Sequence, residues 1–279
     1  MGAEVILIDD ASTDSSLKVI RQCQKRFEFK FIRNTENIGV SSSCGVAANR
    51  STKRYLSFLA ADDYFHPEAS TWISRMMNEN PDCRLFLWNS KQKYELGKPS
   101  QDKAIYNKRH AVFFERMNSA RFFAEKNMGI PFVGTGIYDK DSFLEVGGFD
   151  SKYLSYSDYF LCLELIFRHG FYLTSEPISY FRQTKNNLKT KNDLKSIQRK
   201  ALSHLLSKLK NDYDSDFNNF LIQSGSMLVF EEILADKKSM TLHEMKPFYT
   251  SKVKRILWHK KIRRLFRDPI PSFFKNLFR

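Results

Sequence analysis

Five aspartates stand where carboxylates could act together. Asp9 and Asp10 close an apolar run at residues 4–8, Asp62 and Asp63 follow a second apolar run at 55–59, and Asp158 opens an amphipathic segment ending at Arg168. A carboxylate can accept a hydrogen bond, hold a divalent cation or take up a proton. Each role needs the acid held at the mouth of a cleft. Each position also has an ordinary structural alternative. Residues 9–14 read as good helix-capping sequence, Asp62-Asp63 suits a surface turn, and Asp158 suits a helix N-cap.

The elements that must position these acids follow from the hydrophobic pattern. Strands are predicted at residues 4–8, 29–32, 55–59 and 84–88, alternating with helices at 15–27, 40–49 and 67–78. Such alternation predicts an α/β domain with a mostly parallel sheet covered on both faces. In open sheets of this kind ligands bind beyond the carboxyl ends of the strands, so both aspartate pairs are expected to face one crevice. Residues 89–107 read as a polar loop, and 158–168 as a helix stopped by Gly170. Short strands are expected at 171–173 and 178–182. Beyond about residue 193 the pattern is helical only, with segments at 194–209, 217–234 and 242–266. Two parts are therefore expected: an α/β domain over 1–190 and a helical extension over 191–279.

The composition excludes several classes. No run of about 18 apolar residues occurs, so no transmembrane helix is expected. Cys23, Cys44, Cys83 and Cys162 show no CxxC spacing, and the six histidines no metal-ligand spacing. Scattered cysteines fit a reducing compartment, and the expected location is the cytoplasm. The net charge of +14 is concentrated in the tail, where residues 252–279 carry ten basic side chains against Asp268. Ile262, Leu265 and Phe266 share one helical face there. The tail has three readings: a peripheral contact with the anionic inner face of a membrane, a helix docked on the body, and, least favoured, nucleic-acid binding, for which no recognition module is present.

The ordered motifs carry a resemblance. Val5-Ile6-Leu7-Ile8-Asp9-Asp10-Ala11-Ser12-Thr13-Asp14-Ser15-Ser16 is followed by Asn34-Thr35-Glu36-Asn37-Ile38-Gly39-Val40, Ala48-Asn49 and Phe58-Leu59-Ala60-Ala61-Asp62-Asp63-Tyr64. Val146-Gly147-Gly148-Phe149-Asp150, Ser157-Asp158-Tyr159 and Phe181-Arg182 complete the set. Over roughly residues 4–190 the chain resembles family 2 of the glycosyltransferases, enzymes of GT-A fold that move a sugar from a nucleoside diphosphate to an acceptor hydroxyl with inversion.

The resemblance implies roles residue by residue. Asp9 and Asp10, with Asp10 preferred, fall at the nucleotide-binding acid. Asp63, with Asp62 on metal or ribose, falls at the motif that binds Mn²⁺ or Mg²⁺, although Ala60 and Ala61 stand where many members carry an acid. Asp158 falls at the general base, with Ser157 where many members carry Glu. Arg182 falls at the end of the catalytic domain, where it, Lys185 or Lys189 could meet phosphate, and Thr184 stands where members often carry His. Gly134-Thr135-Gly136 and Gly147-Gly148-Phe149 are expected on the acceptor-side wall. The implied partners are a nucleotide-sugar donor, most often a UDP-sugar, and a glycan or lipid-linked acceptor in cell-surface polysaccharide synthesis. The chain also lacks the first strand with which members usually open, about 25–35 residues by the length of a βαβ unit. Poor solubility and weak nucleotide binding are expected in consequence. The competing reading is a catalytically impaired GT-A-like scaffold subunit.

Overall fold

The computed structural model describes residues 2–94, 112–115, 119, 136–183, 194–234, 246–248, 250–251 and 253–255. The chain divides into two compact units, one of residues 1–119 and 130–189, the other of residues 120–129 and 190–279. The tail beyond residue 255, Gly134, Thr135, Lys185 and Lys189 lie outside the described residues.

In the first unit, β1 (Ile6–Asp9), α1 (Ser16–Gln24) and β2 (Lys30–Arg33) form a parallel pair with its crossover helix, Ile6 opposite Lys30. Then come α2 (Val40–Arg50), β3 (Tyr55–Leu56), β4 (Tyr64–Phe65), α3 (Ala69–Glu79), β5 (Leu85–Tyr94) and β6 (Val112–Phe114). They are followed by β7 (Gly136–Asp139), α4 (Lys140–Glu145), a 3₁₀ segment at Ser151–Tyr156, α5 (Ser157–His169) and β8 (Phe171–Gln183). A six-stranded sheet runs in the order β3-β7-β5-β8-β4, with β6 also on β8.

The α/β class expected from the sequence is present, but the pairing is more mixed than predicted. Among the described residues only β1–β2 and β5–β8 are parallel; the other ladders are antiparallel. Short strands that double back, β4, β6 and β7, account for this. Among the described residues no ladder joins β1 to β3, so the sheet is in two pieces and each of these strands keeps an unpaired edge. Val5 and Val19 are both 53% exposed on the smaller piece, and α1 buries no residue completely.

The core sits around β5. Leu85, Phe86, Leu87 and Trp88 are fully buried between β7 and β8, as a continuous apolar run in a central strand requires. Burial of each such side chain stabilises by about 1.5–3 kcal/mol. The Trp88 indole N–H donates to Ser179 Oγ at 2.9 Å, so the one polar atom it carries inside is satisfied. Two expectations fail here. Residues 89–94 continue β5 rather than opening a loop, because β8 offers a parallel partner from Phe171 through Gln183. The two short strands expected at the end of the domain are that single strand, with a register shift opposite Trp88 and Ser90.

In the second unit α6 (Leu194–Asn211) buries Ala201, Leu202 and Leu205. Asp214 caps α7 (Ser215–Ser224) by accepting from the amides of Asp216 and Phe217. The single helix expected over 217–234 is instead broken at Gly225, whose φ of 69° ends α7 before a 3₁₀ turn at Ser226–Phe230 and α8 (Glu231–Leu234). No helix among the described residues is long and apolar enough to cross a membrane.

Gly148 has φ +65°, and a Cβ there would lie 2.8 Å from Phe143 Cε1. Replacement by alanine is expected to destabilise the unit by about 1–3 kcal/mol, through left-handed strain and the clash together. Urea denaturation of Gly148→Ala checks this; a loss under about 0.5 kcal/mol would mean the turn yields freely.

Candidate active site

The two aspartates that close β1 face different surroundings. Asp9 is only 3% exposed. Its Oδ1 accepts from the Ser12 amide at 3.3 Å, and its Oδ2 lies 3.2 Å from Arg33 Nε as an ion pair without hydrogen-bond alignment. Arg33 stands opposite Asp9 across the β1–β2 ladder, so this carboxylate braces the strand pair. Ala11 takes φ 59°, unusual for a residue with a Cβ, where the chain turns away.

Asp10 points outward and organises a loop. Its Oδ1 accepts from Asn34 Nδ2 at 2.8 Å and from the Ile38 amide at 3.0 Å; its Oδ2 accepts from the Gly39 amide at 2.8 Å. Asn34 Nδ2 also reaches Ser43 Oγ at 2.9 Å. Asn34 foremost, then the two amides and Ser43, hold the Asp10 carboxyl below its ordinary value despite partial desolvation. Gly39 ends the loop at φ 84° and begins α2, a conformation that only glycine adopts without strain. The Asn34–Val40 motif is thus a frame built around one carboxylate.

Asp62 and Asp63 leave β3 on a turn in which the Asp63 amide donates to the Ala60 carbonyl at 3.0 Å. Asp63 Oδ1 accepts from the Arg182 amide at 2.9 Å. Burial pushes the Asp63 carboxyl above its ordinary value, and the neighbouring charge of Asp62 adds to the rise. The β4–β8 ladder fixes this pairing, with Tyr64 opposite Tyr180. The two rings stack at 4.9 Å, Tyr180 also stacks on His66, and His66 on Trp72. The Arg182 guanidinium lies over Tyr64, 5.7 Å from its centroid. Arg182 therefore belongs to the Asp63 neighbourhood.

Two adjacent carboxylates, one of them half-buried with a raised pKa, fit a divalent cation that takes its other ligands from phosphate oxygens. Among the described residues no group of three or more His, Cys, Asp or Glu forms a complete protein cage for a metal. A cation here would depend on the ligand it arrives with.

Asp158 is the second residue of α5, and its Oδ1 accepts from the Tyr159 amide at 2.7 Å. Beneath it the Tyr138 hydroxyl is fully buried, 3.7 Å from Cys162 Sγ. Burial first, and then the charges of Cys162 and Asp158, push that phenol well above its usual range. The Cys162 thiol is pushed up to about 12, again chiefly by burial. Both groups therefore stay neutral at physiological pH.

Asp10 and Asp158 converge on one element. Gly39, the N-cap of α2, binds Asp10, and Ser41 in the first turn of α2 binds Ser157, next to Asp158. The Asp63 carboxylate is bound from β8 instead, by the Arg182 amide. Of the segments expected on an acceptor wall, Gly134 and Thr135 lie outside the described residues. Phe149 is 8% exposed, inside a ring cluster with Phe58, Tyr138 and Phe143. Gly136 accepts on its carbonyl from Ser57 Oγ at 3.0 Å. Sequence reading missed Ser41, Ser43 and the role of Asn34; the run of small residues opening α2 was the available signal.

Residues 2–134 match the sequence model of glycosyl transferase family 2. An uncharacterized glycosyltransferase of Haemophilus influenzae is 25% identical over 241 residues, covering 83% of this chain and 75% of that protein. Among solved structures, S. aureus TarS superposes with a TM-score of 0.62 at 16% identity over 91% of this chain, which spans only 44% of the TarS chain. A shorter form, TarS 1–349 in complex with UDP-GlcNAc, gives 0.62 at 16% identity, with 88% of this chain and 69% of that one covered. The mannosyltransferase PcManGT from Pyrobaculum calidifontis, in complex with GDP-Man and Mn²⁺, gives 0.55 at 13% identity, with 94% and 71% covered. At these identities the solved structures establish the GT-A fold. Residues 2–134, just under half of the chain, therefore carry the sequence pattern of glycosyl transferase family 2.

Proposed function

We propose that the chain transfers a sugar from a nucleoside diphosphate sugar, a UDP-sugar by preference, to an acceptor hydroxyl with inversion at the anomeric carbon. The reading rests on one observation. The Asp10 loop and the Asp158 helix are fastened to the same turn of α2, while a third acid, Asp63, is held by the Arg182 amide just before β4.

Each residue then has a task. Asp10 keeps the loop at 34–39 in shape, so that the first turn of α2 presents a fixed wall to the nucleotide. Asp62 and Asp63 would hold Mn²⁺ or Mg²⁺, which when bound offsets negative charge on the diphosphate. Arg182 adds a cation on the same side. In the transfer the acceptor oxygen forms a bond to the anomeric carbon while the bond from that carbon to the phosphate oxygen breaks. The electron pair leaves with the diphosphate, and the acceptor proton passes to the Asp158 carboxylate. The substrates of the named relatives, UDP-GlcNAc and GDP-Man, are the first donors to try. The acceptor we favour is a glycan or lipid-linked glycan of the cell surface, reached with the basic tail lying on an anionic membrane.

Asp158→Ala is expected to lower kcat at least about 100-fold with donor affinity little changed, as loss of a general base does. Donor turnover by the full chain with Mn²⁺, screened over UDP-, GDP- and dTDP-sugars, measures this. Absence of metal-dependent turnover in the unmutated chain would favour the scaffold reading instead.

Asp10→Asn puts an amide N–H₂ against backbone amides and removes charge-assisted bonds. With exposure to solvent allowed for, the cost is roughly 0.5–1 kcal/mol at pH 7. Because the folded-state pKa lies below the ordinary 3.8, the contribution is complete above that value and disappears as pH falls through the folded pKa. Urea melts of both proteins should therefore differ at pH 7 and converge on acidification; a gap that persists in strong acid would contradict the assignment.

A further inference from the structure

We propose that Ser41 and Ser157 are positioning residues that set Asp158 against the donor loop; the inference rests on the transferase reading above. Their hydroxyl oxygens are 3.1 Å apart, both side chains are buried, and 116 residues separate them in the chain. Ser157 is the first residue of α5 and the covalent neighbour of Asp158. Ser41 is the second residue of α2, two positions after the glycine whose amide binds Asp10.

Helical geometry makes α2 the spacer between the two halves of the site. Successive residues turn by 100°, so Ser41 and Ser43 project about 200° apart. Ser43 bonds Asn34, and through it the Asp10 frame; Ser41 bonds the start of α5. Cys44, one turn beyond Ser41 on the same face, has its thiol pushed up to about 11 by burial. Cys44 itself is half-buried. A buried hydroxyl left without a partner is unfavourable, so each serine is satisfied only while the two helix starts keep this spacing. Neither helix has a side-chain N-cap hydrogen bond, and the serine pair ties the start of α5 directly to the start of α2, beside the Tyr153–Phe160 ring stack. Displacement of a catalytic carboxylate by a fraction of an ångström is enough to slow chemistry without altering donor binding.

The test uses the full chain and whichever UDP-, GDP- or dTDP-sugar it turns over with Mn²⁺. Ser41→Ala and Ser157→Ala should each lower kcat roughly tenfold, with donor KM changed less than about twofold. The double variant leaves no orphaned hydroxyl, so its thermal stability should return close to that of the parent while kcat stays as low as in either single variant. Ser157→Thr, which keeps the hydroxyl, should restore most of the rate. A stable double variant with the parent's kcat would overturn the inference. So would a rise in KM at unchanged kcat. If the parent turns over no donor at all, the transferase reading falls first and this inference with it. If the parent is active and Asp158→Ala is not, yet the serine variants match the parent, only this inference falls.

Discussion

The arrangement depends on the Asp10 carboxylate meeting the start of α2. Three donors, from Asn34, Ile38 and Gly39, close on its two oxygens. Together they convert a six-residue connection into a frame with one allowed shape. The helix that leaves this frame is short and built of small residues, with Ser41, Ser43 and Ala48 buried. Small side chains let neighbouring backbone approach closely, and α2 can then be touched on both faces by groups from distant parts of the sequence. A charged group that organises backbone amides in this way is worth more than a surface ion pair, since the donors cannot move away into solvent without undoing the turn.

The Asp63 side of the site is held differently. It depends on a two-residue strand, β4, which among the described residues pairs with β8 alone. So short a strand gives few backbone bonds, and the aromatic stack of Tyr64, Tyr180, His66 and Trp72 supplies side-chain contact in their place. The raised pKa of Asp63 marks the cost of holding a carboxylate away from water and beside another acid. A bound cation relieves that cost, which gives the acid pair a physical reason to bind one.

Much of this was legible in the residues. The strand–helix alternation up to Trp88 and the stop at Gly170 follow from local pattern. The difference between Asp9 and Asp10 did not. Adjacent residues in a strand point to opposite sides, but which side is the crevice is set by Arg33 on the neighbouring strand and Asn34 beyond it. The extension of β5 past Asn89 was also hidden, because its sequence is polar and only a distant partner strand, with Ser90 opposite Ser179, makes it a strand. The Ser41–Ser157 contact is of the same kind: two ordinary serines whose meaning comes from a separation that no local window spans.

The central claim is that Asp10, Asp63 and Asp158 serve a single cavity that takes a nucleoside diphosphate with its cation. Amide hydrogen exchange on the full chain, with and without UDP and Mn²⁺, addresses this directly. The account predicts slower exchange on addition of both at residues 34–41, 60–65 and 157–161 together, and little change with UDP alone. Protection confined to one of these segments, or equal protection without the metal, would contradict it.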